Sequence, residues 1–353
     1  MESQSKNGAR VRALVTGGAG YFGELLVRKL LQSDYQVRIL DLTRPNPPIG
    51  DVEVIQGDIR DFAAVAAACA KIDVAFHNVA QVPLAKNPEL FWSVNRDGTA
   101  NLLRASLERR VGKVIYTSSS AVYGVPESNP VTEETPPSPM EEYGRAKLAG
   151  ESACREFASR GLDVSIVRPR TIMGHGRLGI FQILFEWIHQ GHNIPVLAGG
   201  KNLYQFVHAD DLAEACILAA RRKGASAYNC GADRFGSMRD VLEHLCRFAG
   251  TGSRVRSLPM APIVAVMNLS SRIGASPLAP YHALMYGRSM YFDISRARTE
   301  LGWQPRYSNN EMFVDSYRWY LANREAVLNG REGMSQHRSA LKQKALALLR
   351  WLL

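Results

Sequence analysis

The sequence predicts an α/β fold, a doubly wound parallel sheet with a smaller C-terminal lobe, and three observations predict it. Short β-branched runs alternate with amphipathic helical stretches through the first half of the chain, as βαβ units require. A glycine cluster sits between the first such run and the first helix. The chain has 353 residues and 46% hydrophobic content, enough to bury one large domain or two unequal lobes.

In chain order, residues 11–16 read as the first strand, 24–33 as the first helix, and 36–40 and 52–56 as the next two strands. Residues 61–70 form a helix, 74–78 a strand, 95–109 a helix and 113–118 a strand. After the proline-rich stretch 130–139 come a helix over 140–160 and a strand over 163–168, which makes six parallel strands available. Beyond Thr171 the alternation loosens, with helices near 181–190, 211–221 and 237–249. The expected organisation is therefore a disordered tail over 1–10, a Rossmann-type core over 11–170, a substrate lobe over 171–330 interleaved with that core, and a basic amphipathic helix over 331–353.

Composition narrows the classes. Five cysteines without a CxxC pair argue against a disulfide framework and a zinc ribbon, no metal-ligand cluster is visible, and a reducing cytoplasm is expected. The polar start lacks an export signal's apolar region, and no apolar run is long enough to span a bilayer. The net charge of +10 is concentrated at the end, where residues 331–353 carry five basic groups against one acidic. No basic stripe is interleaved with aromatics, so nucleic acid is not an expected partner.

The glycine cluster is Thr16-Gly17-Gly18-Ala19-Gly20-Tyr21-Phe22-Gly23. Between a strand and a helix, Gly17, Gly20 and Gly23 allow a tight turn and close approach to a pyrophosphate, which free amides at the helix start would meet beside Tyr21 and Phe22. Asp41 ends the next strand, where an acid binds the adenosine ribose; its charge would repel a 2′-phosphate and favours NAD, although neighbouring Arg44 leaves NADP open. Asp58, after the third strand, is placed to bond the adenine or to cap the following helix.

Tyr143 and Lys147 stand four apart on one helix and share a face, so an ammonium can lie beside a phenol and, with an oxidised nicotinamide's charge, make it an acid/base group. The alternative is an amphipathic helix with a snorkelling lysine. The run Thr117-Ser118-Ser119-Ser120 at a strand end adds a hydroxyl that can bond the reacting oxygen.

These motifs, with Gly57-Asp58, His77-Asn78-Val79-Ala80, Val94-Asn95-Arg96-Asp97-Gly98-Thr99 and Arg168-Pro169, resemble the extended short-chain dehydrogenase/reductase family, the NAD-dependent epimerase/dehydratase superfamily, over residues 11–320. The resemblance implies an enzyme in which Tyr143 is the acid/base, Lys147 orients the ribose and tunes the phenol, and Ser119 polarises the substrate oxygen. It also implies cofactor contacts from Ile59, Ala80, Asn95 and Pro169, and a homodimer paired through a four-helix contact.

Two branches compete for the substrate. Sugar-nucleotide epimerases place a diphosphate-binding arginine where this chain has Tyr204, and the RxGD-like element that carries their second arginine is missing from 281–293. The stretches 199–203 and 279–305 instead look like the 3β-hydroxysteroid and sterol-4α-carboxylate dehydrogenases, as does the apolar run 263–267, whose alternative is a core helix. Leu341, Ala345, Leu348, Leu349 and Leu352 recur at helical spacing among Lys342, Lys344 and Arg350, which suits an anionic lipid interface, a packed helix or a dimer contact. The leading expectation is oxidation of a sterol-like 3β-hydroxyl, with loss of a 4α-carboxylate once C-3 is a ketone. The alternative is a sugar epimerase or dehydratase acting on a nucleotide- or polyprenyl-diphosphate-linked substrate, and a third possibility is a dinucleotide-sensing scaffold without turnover.

Overall fold

The computed structural model describes residues 10–81, 88–177, 180–258 and 287–329. The expectations for residues 1–9, for the apolar run 263–267 and for the basic helix over 331–353 lie outside the described residues.

Strands β1 (Arg12–Thr16), β2 (Gln36–Asp41), β3 (Glu53–Gln56), β4 (Val74–His77), β5 (Lys113–Thr117) and β6 (Val164–Pro169) are the six anticipated. A seventh, β11 (Ser226–Cys230), comes from the second half of the chain and pairs in parallel with β6 at the sheet's edge. The order is β11-β6-β5-β4-β1-β2-β3, so the chain winds outward from β1 to β3 and then restarts on the other side with β4. This reversal opens a crevice at the carboxyl ends of β1 and β4, where ligands of such sheets bind.

Helices α1 (Tyr21–Gln32) and α7 (Ala209–Arg221) pack together on one face, while α2 (Phe62–Ala68), α4 (Thr99–Glu108) and α5 (Glu142–Ser159) cover the other. Both faces are thus buried, which is why β4, β5 and β6 read as continuous apolar runs rather than alternating ones. The helix expected over 95–109 is broken: a short α3 (Pro88–Trp92) runs through a π-turn (Ser93–Gly98) before α4. Helix α1 starts three residues before the expected 24 because Gly23, read as loop, is helical.

The remaining elements are β7 (Thr171–Met173), α6 (Ile180–His189), β8 (Ile194–Leu197), β9 (Leu203–Tyr204), β10 (Phe206–His208), β12 (Gly236–Ser237), α8 (Met238–Ala249), β13 (Val255–Leu258), α9 (Ser295–Leu301) and α10 (Asn309–Leu328). They form three two-stranded sheets around a second core of aromatic side chains, Phe181, Phe185, Phe206, Phe313, Tyr317 and Tyr320 among them. The segment around Trp303, one of the stretches that looks sterol-specific, is structural. The Trp303 indole is fully buried and donates to the Asp211 carbonyl at 2.8 Å, and the Asp211 carboxylate accepts the Arg306 and Tyr307 amides at 3.0 and 3.2 Å. No helix among the described residues is long and apolar enough to cross a membrane.

Candidate active site

The glycine turn is tight. Gly17 adopts φ +73, and a Cβ on Gly23 would lie 1.9 Å from the Gly17 carbonyl oxygen, so α1 begins hard against the end of β1. Its N-cap, Gly20, offers no side-chain oxygen, and no side chain caps the start of α1. Asp41 closes β2 beside this turn, its Oδ2 accepting the Ala19 amide at 3.0 Å and its Oδ1 the Thr43 amide at 3.3 Å. Burial pushes its carboxyl up, and these amides pull it back. These residues fit a dinucleotide with a free ribose hydroxyl, and Arg44 is exposed.

Glu141 caps α5 by accepting the Tyr143 and Gly144 amides at 2.9 and 2.7 Å, which fixes where the helix begins. Tyr143 is then held with its ring edge-on to Phe91, 6.2 Å between centroids. One turn on, Lys147 is buried; its Nζ donates to the Thr117 carbonyl at 2.8 Å and lies 4.7 Å from the Tyr116 ring centroid. Burial lowers its pKa to about 8.

The serine run resolves by partners. Ser118 donates to Glu151 at 2.7 Å and Ser120 accepts from Arg170 at 2.9 Å, both buried. Ser119 is half-buried, and its Oγ accepts the Ala121 amide at 3.2 Å, which leaves its hydroxyl hydrogen to donate.

Other anticipated cofactor residues have different surroundings. The Asp58 carboxylate is committed to Arg60 at 2.5 Å, and capping of α2 falls to Asp61 instead. Ile59 is buried against Gly98. Asn95 has both ends of its amide on the Gln81 backbone, at 2.8 and 3.0 Å, so it anchors the loop after β4 that carries half-buried Ala80. Pro169 ends β6 opposite Cys230.

Four features escaped the sequence reading. His77 joins Thr16 and Thr99: Thr99 gives its hydrogen to the Asn95 carbonyl, so His77 Nε2 donates to Thr99 and Nδ1 accepts from Thr16 at 2.7 Å. Burial lowers the His77 pKa to about 3, and the ring stays neutral. Glu151 and Arg168 form a buried fork at 2.7–2.8 Å. His175, His208 and Asp315 gather beside Gly174, but His208 Nδ1 accepts the Asp210 amide at 3.1 Å, which puts the proton on the Nε2 facing Asp315. That arrangement is a hydrogen-bonded charge cluster rather than an open set of metal ligands. Finally, Arg177 is close enough to Tyr21 and Tyr143 to feel both, and its buried Nε has no acceptor.

The family model for NAD dependent epimerases and dehydratases matches residues 13–231. The chain belongs to this family. It is 56% identical to the uncharacterized protein y4nG of Sinorhizobium fredii, covering 96% of this chain and 85% of that one. It is 27% identical to the UDP-glucose 4-epimerase of Bacillus subtilis (88% and 97%) and 29% identical to the 3 beta-hydroxysteroid dehydrogenase/Delta 5→4-isomerase of Mycobacterium tuberculosis (90% and 92%). Among solved structures, the dTDP-glucose 4,6-dehydratase DesIV of Streptomyces venezuelae, with NAD bound, superposes with a TM-score of 0.71 at 27% identity, covering 89% of this chain and 98% of that one. The chain is thus an enzyme of the epimerase/dehydratase type, and the family uses nicotinamide dinucleotides.

Proposed function

We propose that the protein is an NAD-dependent epimerase acting on a sugar linked to a nucleoside diphosphate. One observation carries the reading: a buried ammonium, anchored on the Thr117 carbonyl one turn from Tyr143, in a fold whose first strand ends in a glycine turn that fits a dinucleotide. Bound NAD would accept the hydrogen and electron pair leaving the substrate carbon and later return them. The chain's own groups handle the proton. Tyr143, as a phenolate stabilised by Lys147, takes it from the substrate hydroxyl and becomes the neutral phenol, and Ser119 donates a hydrogen bond to the substrate oxygen.

The relatives support a sugar nucleotide over a sterol, because UDP-glucose 4-epimerases recur among them and a nucleotide-sugar dehydratase superposes on the chain as well. Epimerisation is preferred to dehydration on chemical grounds. Losing water needs an acid for the leaving hydroxyl, and the turn Ser120–Tyr123 after Ser119 carries no carboxylate. A second reading, oxidation of a 3β-hydroxyl, is favoured by Tyr204 standing where an arginine is expected and by the steroid dehydrogenase relative.

Purified protein given UDP-glucose, UDP-galactose or a 4α-carboxysterol with NAD separates the two. Interconversion of the UDP-sugars without net NADH is expected. NADH formation with the carboxysterol and no sugar interconversion would replace the proposal by the second reading.

A further inference from the structure

Two buried arginines flank Pro169, and their partners differ. Arg168 is fully satisfied, with two bonds to Glu151 and one to the Tyr123 hydroxyl at 2.6 Å. Arg170 is equally deep, at 1% exposure, yet no carboxylate among the described residues pairs with it. Its Nη1 reaches the Ser120 hydroxyl at 2.9 Å and the Met290 sulfur at 3.3 Å. Its Nε and Nη2 are buried without an acceptor. The guanidinium lies over the Tyr204 ring, 4.6 Å from its centroid, and 5.6 Å from that of Phe292.

A buried guanidinium with two unused donors and no counter-charge is unfavourable, and the aromatic rings offset only part of that cost. The cost is relieved if the anion arrives with a ligand. The position supports this. Arg170 follows the carboxyl end of β6, and its Ser120 contact is the immediate neighbour of Ser119, the residue proposed to bond the substrate oxygen. Tyr204, which occupies the place where a sugar-nucleotide enzyme would carry an arginine, forms the surface on which Arg170 rests, and its hydroxyl bonds Thr171 at 2.9 Å. A positive charge therefore reaches that place from the β6–β7 connection instead.

We infer that Arg170 is the receptor for an anionic oxygen group of the substrate, with Nε and Nη2 as a two-pronged donor. The inference rests on the proposed substrate class, in which that group is the sugar's diphosphate; a sterol carboxylate would present the same chemistry. The full-length, NAD-loaded protein and its Arg170→Gln and Arg170→Lys variants are titrated calorimetrically with UDP, uridine and a 4α-carboxysterol. UDP affinity is expected to fall at least tenfold in Arg170→Gln and by less in Arg170→Lys, with uridine and NAD affinities unchanged. A distorted site would weaken uridine as well as UDP, and that result overturns the inference. So does UDP binding that is unaltered in the variants, or a wild type that binds neither anion. Arginine-dependent binding of the carboxysterol alone would uphold the receptor while sinking the sugar-nucleotide reading. Should Arg170→Gln fail to fold, Arg170→Lys decides, since it keeps the charge and loses the fork.

Discussion

Lys147 illustrates how far a single residue can be read before its surroundings are known. Its spacing from Tyr143 is visible in the sequence, but the depth of its burial and its lone carbonyl anchor are tertiary facts. Burial without a paired anion lowers its pKa from 10.5 to about 8, a handicap to the folded state on the order of 3 kcal/mol while it is charged. The handicap is complete below about pH 8, shrinks between that value and 10.5, and vanishes above it. Lys147→Met is therefore expected to abolish turnover yet raise the melting temperature at pH 7, the gain being reduced by about 1 kcal/mol for the stranded Thr117 carbonyl. Melting curves of both proteins at pH 7 and above pH 10 check this, and the variant's advantage must disappear at the higher pH, where only the cost of the stranded carbonyl is left. Tyr143→Phe should lower turnover by about a thousandfold or more with NAD binding intact, seen in parallel activity and cofactor titrations. Arg170 shows the opposite limit. Nothing in the local sequence separates it from Arg168, because only the fold assigns Glu151 to one and not the other.

Elements were legible where local pattern and tertiary role agree. The inner strands are apolar runs because both sheet faces are covered, and the glycine turn announces itself by composition. Strand β11 was missed because Ser-Ala-Tyr-Asn-Cys has no periodicity of its own and exists by pairing with β6. The π-turn before α4 likewise has no composition signal, although Asn95 inside it holds the neighbouring loop. The junction of β1 with α1 makes a contrast that can be measured. A methyl on Gly23 would sit 1.9 Å from the Gly17 carbonyl oxygen, whereas on Gly20 the same oxygen is 3.2 Å away. Gly23→Ala must push α1 off the turn and is expected to weaken NAD binding a hundredfold or more, with Gly20→Ala losing roughly tenfold or less. Fluorescence titration with NAD compares them, and equal losses would show that the helix start can shift without consequence.

At the scale of the molecule, two cores meet where β10 feeds α7 and α10 crosses above, and the His175–His208–Asp315 cluster lies at that junction. Its members come from the loop after β7, from the cap of α7 and from α10, separations too long for any sequence window to register. Hydrogen bonds from both histidines hold the Asp315 carboxyl below its ordinary 3.8, while the Asp315 contact raises His175 above its ordinary 6.5. The signs define a window. A depressed acid adds stability that is present above 3.8 and lost as pH falls through its folded value; a raised histidine adds stability that is full below 6.5 and lost as pH rises through its own. Both contributions coexist between those limits. The Asp315 side chain is 40% exposed and that of His175 is 47%, so solvent screens the pair and the effect is modest. Asp315→Asn keeps an acceptor for the His208 Nε2 hydrogen and removes the charge. It is expected to lower the melting temperature by about 2 °C at pH 5.5 and by less at pH 8.5, where less of His175 carries its proton. A loss that is equal at the two pH values would assign the junction's stability to shape and hydrogen bonding, leaving no part of it to the charge of Asp315.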